Sequence, residues 1–345
     1  MALTLIKIPA RSRLYHLEPA GIGTPFVESL SSYFTRLAQA HNVSAVNLYT
    51  REVAPLLQKI RTDNRRYSRN RSLVIERSLG PVNGPSGITA ITEAWVQTLE
   101  ALTKRSDLRL LTALPLGNAV SPEHLMKKAL AWCPSCYDEW HRSGETVYEP
   151  LLWMFSVVEI CPRHKQPLEQ VCPHCKREQI FFSSRTSSGY CSRCYGNLYF
   201  NGENRRLMLK TVNKEAQNRQ LWFARSLGRW IKKAQNLESK PMKEDTIKKI
   251  SSLISKYTNG RSGRFSQLIG LKSITAPRWL SGRTHIRLDN LLKICFLLDI
   301  DLTKFLTAEI DDEKHDLLGG NVYGGVHPIA LQSNGFGGQI EIHQD

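Results

Sequence analysis

The sequence lacks any run of about 18 consecutive apolar residues, the length that an α-helix needs to cross a membrane. Its first residues, MALTLIKIPARSR, also lack the long apolar stretch and cleavage site of a secretory signal. These two absences predict a cytoplasmic protein without a membrane-spanning segment. Because cytoplasmic thiols stay reduced, disulfides are not expected.

Recognisable catalytic motifs are missing as well. The sequence has no glycine-rich phosphate-binding loop and no HExxH motif, and its histidines and acidic residues form no acid–base constellation. These absences favour a protein that binds over an enzyme. A nuclease or other DNA-processing enzyme with zinc as its scaffold is the third hypothesis for function, and metal-dependent cleavage of a plasmid would support it.

Acidic residues are fewer than basic residues. Against 31 Asp and Glu residues there are 47 Lys and Arg residues, which gives a formal net charge of +16. This charge favours a polyanionic partner, with nucleic acid as the first candidate, and a basic protein kept soluble by its charge is the alternative. With 345 residues, of which 41% are hydrophobic, the chain is long enough for two or three domains with a real core.

Cysteine is scarce outside one segment, since seven of the eight cysteines lie between residues 133 and 194. With one histidine they form four hooks, each of two ligands around a two-residue spacer. The hooks are Cys133 with Cys136, Cys161 with His164, Cys172 with Cys175, and Cys191 with Cys194. Because zinc takes four ligands in a tetrahedron, two neighbouring hooks make one site. The sequence therefore predicts one site of three cysteines and a histidine, and a second site of four cysteines.

Both predicted sites are filled by four protein ligands, which is typical of structural zinc. An iron–sulfur cluster on the all-cysteine pair and a redox role of the thiols are the alternatives, but the spacing and the histidine favour two zinc ions. EPLLWMFSVVEI predicts a helix inside the first site, and EQIFF and NLYF predict short strands beside the second. We assign His174 to the surface and Cys295 to the core.

The first part of the chain predicts helices. Apolar residues recur at helical spacing in PFVESLSSYFTRLAQAH, with Thr24 and Pro25 opening the helix and Asn42 closing it. A second helix from about Ala45 would make either a small helix-turn-helix or a plain helical hairpin. Further helices are predicted from about Ile91 and from Pro122. The stretch KIRTDNRRYSRNRS is either a phosphate-contacting patch or a solvated loop; its arginines are Arg61, Arg65, Arg66, Arg69 and Arg71.

After the cysteines, residues 203–233 predict a basic amphipathic helix or pair of helices. Residues 244–307 then predict a short helix, a turn at about Gly270, a second short helix ending at LSG, a longer helix and a final short one. That order resembles the repressor-type helix-turn-helix domain, whose second short helix enters the major groove of DNA. A module used only for packing or protein contact is the alternative.

The helix-turn-helix resemblance implies a set of DNA contacts. The residues facing DNA are Lys272, Ser273, Thr275 and Arg278, with Arg283 and Arg287 near phosphates. Ala276, Trp279 and Leu280 are assigned to the core. Pro277 departs from the pattern, because a proline around the end of the first turn of this helix is expected to cost one backbone hydrogen bond.

The predicted fold class is mainly α with small zinc-ribbon β elements. An N-terminal helical, helix-turn-helix-like region (1–130) precedes a double zinc-binding region (131–200). A basic helical connector (201–243), the helix-turn-helix domain (244–310) and a glycine-rich tail without helical period (311–345) follow.

Three features together resemble the TniQ family, which is shared with TnsD. They are PFVESLSSYFTRLAQAH, the block WCPSC…LLWMFSVVEICPRHKQPLEQVCPHC, and the C-terminal helix-turn-helix. The likeness spans roughly residues 20 to 200. Its most specific element is the order of CPxC, a Trp-containing helix, CPxH and CPxC.

The resemblance implies a non-catalytic adaptor that selects targets for a bacterial transposon with a multi-component transposase, including CRISPR-associated transposons. The implied partners are the AAA+ regulator TnsC and a source of the target address: RNA-guided Cascade, a TnsD-like protein or attachment-site DNA. The residues expected at the TnsC contact are Pro25, Phe26, Glu28, Ser29, Tyr33 and Arg36. The main alternative is a zinc-containing, sequence-specific transcriptional regulator that binds a palindromic operator as a homodimer.

Overall fold

The computed structural model of the chain describes residues 11–63, 84–199 and 214–307. Within these ranges the protein is mainly helical, as predicted, and its β-structure consists of isolated bridges. Most of the predicted arginine patch, the start of the basic connector and the glycine-rich tail lie outside the described residues. None of the described helices is both long and apolar enough to cross a bilayer.

The described helices of the N-terminal layer are α1 (Leu30–Ala40), α2 (Ala45–Leu48), α3 (Ala54–Asp63) and α4 (Ala90–Thr103). A π-helical turn, Tyr49–Val53, joins α2 to α3. The predicted starts near Ala45 and Ile91 are confirmed. The helix predicted from Pro122 is wrong, because the chain there makes a turn in which the N–H of Leu125 donates to the carbonyl of Pro122.

The start of α1 differs from the prediction. The side chain of Ser29 accepts from the N–H of Ser32 at 3.2 Å, so Ser29 is the N-cap and the helix begins at Leu30. The hydroxyl of Thr24 instead donates to the carbonyl of Gly21 and closes a turn before the helix. Asn42, in the left-handed region at φ 54°, ends the helix as predicted.

Aromatic rings fill the centre of this layer. Phe34 of α1 lies 5.3 Å from the ring of Trp95 of α4, and Tyr49 stacks on the same indole at 5.4 Å. Phe182, which lies in the chain between Cys175 and Cys191, stacks against Trp95 with ring centres 6.3 Å apart. The cluster region therefore packs into the core of the N-terminal helices.

The cysteine region contains α5 (Pro134–Ser143) and α6 (Leu151–Met154). The helix predicted from EPLLWMFSVVEI is confirmed only as the single turn α6, because Phe155 adopts extended backbone angles directly after it. The strands predicted at EQIFF and NLYF are reduced to single bridges, Val171 with Glu178 and Tyr190 with Asn197.

A long helix, α7 (Lys214–Ala234), precedes the C-terminal helices. These are α8 (Lys243–Thr258), α9 (Ser262–Leu268), α10 (Thr275–Leu280), α11 (Leu288–Leu297) and α12 (Leu302–Thr307). The predicted order of α9, the turn at Gly270 (φ 71°), α10, α11 and α12 is confirmed, and α8 is an additional helix that was not predicted. Cys295 on α11 is fully buried, as predicted, and burial raises the pKa of its thiol.

Helix α7 packs against both the N-terminal region and the C-terminal helices. Toward the N-terminal region, the side chain of Gln235, the residue directly after α7, accepts from the N–H of Gly23 at 2.6 Å and donates to the carbonyl of Thr24. Toward the C-terminal helices, Arg229 pairs with Asp301 at 2.7 Å. A direct backbone hydrogen bond of 2.7 Å, from Ser121 to Ile286, also joins the two regions.

Candidate metal centres and nucleic-acid interface

The structure brings the first predicted ligand set together. Nδ1 of His164 lies 3.4 Å from Sγ of Cys133, 3.3 Å from Sγ of Cys136 and 3.9 Å from Sγ of Cys161. A tetrahedral zinc ion with its usual bond lengths places such ligand atoms about 3.6–3.8 Å apart. All three cysteines are fully buried. The donor set and its dimensions therefore fit one structural metal ion.

Three side chains outside the ligand set orient the first cluster. Oε1 of Glu139 lies 2.7 Å from Nε2 of His164, so with Nδ1 facing the metal, Nε2 donates to this carboxylate. Arg163 holds the other oxygen of Glu139 at 2.9 Å. The amide of Gln166 donates to Sγ of Cys133 at 3.2 Å. A carboxylate behind a metal-bound histidine fixes the ring and makes it a stronger ligand.

The second predicted ligand set also converges. Sγ of Cys172 lies 3.7 Å from Sγ of Cys194, and Sγ of Cys175 lies 3.7 Å from Sγ of Cys191. This cluster is closer to solvent than the first, since Cys194 is exposed. His174 is at the surface, as predicted, with Nε2 3.0 Å from the carbonyl of Asn197.

Three of the four hooks share one backbone geometry. The residue after the second ligand is in the left-handed region, at φ 55° for Lys165, 57° for Lys176 and 61° for Tyr195. Its N–H donates to the carbonyl of the first ligand residue at 2.8–3.0 Å. One β-bridge brackets each hook: Ile160 with Pro167, Val171 with Glu178, and Tyr190 with Asn197. The first hook differs, because Cys133 is the N-cap of α5.

A buried polar network connects the first cluster to α1. Tyr137, next to Cys136, donates to Glu149 at 2.8 Å, and the N–H of Glu149 donates to the hydroxyl of Ser32. Ser32 donates to Glu28 at 2.8 Å, and Arg36 pairs with the same carboxylate. Burial raises the pKa of Glu28 to about 7 despite Arg36, and it also raises the pKa of Glu149.

The six residues expected at a partner contact lie in different environments. Glu28, Ser29 and Tyr33 are fully buried. Glu28 belongs to the network, Ser29 caps α1, and the hydroxyl of Tyr33 donates to the carbonyl of Leu17 at 3.0 Å. Pro25 and Phe26 are half-buried, and the Arg36 side chain is 14% exposed. A partner contact is therefore restricted to Pro25, Phe26 and the edge of Arg36.

The residues nominated for DNA contact lie mostly at the surface. Lys272, Ser273, Arg278 and Arg283 are exposed, whereas Thr275 is half-buried. Arg287 is half-buried and paired with Asp289 through two hydrogen bonds of 3.0 and 2.7 Å. Arg287 therefore has less of its guanidinium available for phosphates than the other arginines.

The predicted cost of Pro277 does not arise. Helix α10 begins at Thr275, so Pro277 is its third residue, where a backbone N–H has no partner within the helix. The buried hydroxyl of Ser266 on α9 accepts from the N–H of Ala276 at 2.8 Å and fixes the helix start. Ala276 and Trp279 are buried as predicted, and Leu280 is half-buried.

Sequence reasoning missed the side chains that support the clusters. Glu139 follows Cys136 by three residues, a spacing that places both on one side of α5, and this spacing could have revealed it. Lys127 had no such signal. Lys127 is half-buried, its ammonium group donates to the carbonyls of Trp153, Phe155 and Val158, just before Cys161, and burial lowers its pKa to about 7.

Comparison with known proteins gives one family. Residues 19–168 match the family model described as TniQ. The matched region contains α1 to α6 and the whole of the first cluster, and it ends before Cys172 of the second. No curated protein matches the chain.

Proposed function

Because residues 19–168 make this chain a member of the TniQ family, we propose that it is a non-catalytic target-selection adaptor of DNA transposition. The family has a transposon-associated role in selecting targets. In the proposed role, the chain links a target-recognition complex to the AAA+ regulator TnsC, and through TnsC to the transposase. Each of the two ligand clusters would hold one structural zinc ion.

One observation carries the proposal: α7 fixes the C-terminal helices, which include the predicted helix-turn-helix, to the region that matches the TniQ model. Trp230 of α7 is 1% exposed and lies with Leu151 and Phe155 of the TniQ region around one small cavity. On its other side, α7 packs Trp222 and Phe223 against Phe296 of α11. A partner surface and a DNA surface held in one orientation are what an adaptor needs.

The charge of the helix-turn-helix supports DNA contact. Residues 246–288 contain no Asp or Glu; their basic side chains are Lys248, Lys249, Lys256, Arg261, Arg264, Lys272, Arg278, Arg283 and Arg287. The excess of positive charge on a surface that includes the exposed Arg278 attracts phosphates, and such binding depends on the salt concentration. We propose that this surface meets DNA at the target, alone or as part of a homodimer.

The proposed TnsC contact centres on Phe26. The guanidinium of Arg163, from the second hook, lies 5.8 Å from the centre of the Phe26 ring. Ile22, in the preceding turn, is 41% exposed. Cascade with its guide RNA, a TnsD-like partner and attachment-site DNA are the alternative sources of the target address within the proposal.

The test is a pull-down in which the zinc-loaded protein is expected to recover ATP-bound TnsC on DNA at moderate salt. A basic protein of the same net charge is the control for non-specific binding. Two variants separate the surfaces. Phe26→Ala is expected to lose TnsC and keep DNA binding, whereas Arg278→Ala is expected to weaken DNA binding and keep TnsC. Failure to recover TnsC, together with tight binding to one palindromic duplex, would support the transcriptional regulator instead.

A further inference from the structure

A row of partly exposed rings runs from the first cluster to the second. His141, on α5, stacks on Tyr199 with ring centres 4.5 Å apart. Tyr199 meets the edge of Tyr190 at 6.4 Å. Tyr190 is paired with Asn197, whose side-chain oxygen lies 3.2 Å from Nε2 of His174. We term the four residues that these contacts connect the ring row: His141, Tyr199, Tyr190 and His174.

Two rings beside the second cluster, Tyr190 and Tyr195, lie outside the buried core, whereas Tyr199 is half-buried and packs against it. The contacts with the core come from the buried Leu198 and the half-buried Phe182. Tyr190, one residue before Cys191, is 41% exposed, and Tyr195, one residue after Cys194, is 57% exposed. Arg185 lies 5.3 Å from the centre of the Tyr195 ring, which is an arrangement that keeps a cation beside an exposed ring.

The charge around these rings is mildly positive. Residues 170–199 contain four basic side chains, Lys176, Arg177, Arg185 and Arg193, all exposed, and one acidic side chain, Glu178. Four thiolates with one divalent ion would add −2, which leaves the segment at 4 − 1 − 2 = +1. This balance tolerates phosphates, but it cannot by itself supply strong binding, so the rings must contribute.

We propose that the ring row, together with Tyr195 and Arg185, binds a single-stranded stretch of nucleic acid. Unpaired bases stack on aromatic side chains regardless of sequence, while exposed arginines accompany the phosphates. Bases in a duplex are already stacked on one another and offer only their edges to a protein. The ring row and the helix-turn-helix therefore select different forms of nucleic acid, single strands for the first and duplex for the second.

The test uses the full-length, zinc-loaded protein and fluorescent oligothymidylate and oligouridylate of about 12 nucleotides, within the usual range of site sizes. The double variant Tyr190→Ala with Tyr195→Ala removes the rings. Its matched control, Tyr190→Phe with Tyr195→Phe, keeps them. Zinc content and the thermal transition show that each variant is folded, and Arg278→Ala is the control for duplex binding.

The alanine variant is expected to bind the oligonucleotides at least about tenfold more weakly, with duplex binding unchanged. The phenylalanine variant is expected to bind within about threefold of the unmodified protein, since stacking needs the ring and not the hydroxyl. Tighter binding of the DNA probe or of the RNA probe shows whether the single strand that the ring row binds is DNA or RNA. Equal binding by the alanine variant, or a role of the rings only in retaining a partner protein, would overturn the proposal.

Discussion

At the residue scale, the first cluster depends on a carboxylate that does not touch the metal position. We expect Glu139→Ala to weaken metal binding at this cluster by about 10- to 100-fold, because His164 loses the group that fixes its ring and its tautomer. Competition with a chromophoric chelator measures the affinity. Asp138→Ala, one residue earlier on α5, removes only a partner of Arg142 and is the matched control. Equal affinities of the two variants would contradict a role of Glu139.

The buried carboxylate of Glu28 predicts a pH dependence of stability. Its pKa is raised to about 7 in the folded protein, so its contribution is favourable below the unfolded pKa near 4.5 and is lost as the pH rises through about 7. A difference of this size corresponds to about 3 kcal/mol in the free energy of unfolding.

The test compares Glu28→Gln with the unmodified protein. Between about pH 5 and pH 8, the difference in unfolding free energy is expected to move in favour of the variant by up to about 3 kcal/mol. Both proteins carry the same clusters, so the pH dependence of the clusters cancels in this difference. Unfolding in urea at a series of pH values measures it. A difference that stays constant across this range would mean that Glu28 is not the titrating group.

At the element scale, two of the three arginines nominated for DNA, Arg278 on α10 and Arg287 before α11, differ in their surroundings. Arg278 is exposed on the helix, whereas Arg287 is already paired with Asp289. We expect Arg278→Ala to weaken duplex binding by about 5- to 100-fold and to reduce the salt dependence by about one phosphate contact if it meets the backbone. Arg287→Ala is expected to have the smaller effect. Fluorescence anisotropy at several salt concentrations measures both, and the reverse order would contradict the exposed surface as the DNA contact.

The helices also show where the local sequence pattern was sufficient to predict secondary structure. The order of α9, the Gly270 turn and α10 could be predicted because helical spacing and a glycine turn depend on neighbouring residues. The start of α1 could not, because Thr24 and Pro25 carry the same opening signal as Ser29. The pairing of Ser29 with the backbone of Glu149, at 2.9 Å, is a contact distant in sequence.

At the scale of the whole molecule, metal removal is expected to proceed in two stages. Structural zinc can supply about 10 kcal/mol or more of folding free energy, so chelation should abolish the central fold. The second cluster has an exposed ligand, Cys194, whereas the three cysteines of the first are fully buried. We therefore expect the second cluster to release its ion first.

The two stages can be assigned with single variants. Release is followed with a colorimetric zinc reagent, while circular dichroism follows the helical content. Cys194→Ser is expected to remove the fast phase, and Cys161→Ser the slow phase. A chelated sample with full helical content and an unchanged thermal transition would show that the ions are not structural.

The sequence by itself determined both ligand sets, the mainly helical class, the likeness to TniQ and the order of the C-terminal helices. Each depends on spacing along a short piece of chain, which fixes backbone geometry locally. Only the tertiary structure decided that Glu28 and Tyr33 are buried, that Arg287 is paired and that His141 meets Tyr199 across 58 residues. Burial and contacts between distant residues arise when separate elements pack together, and no local pattern records which faces will meet.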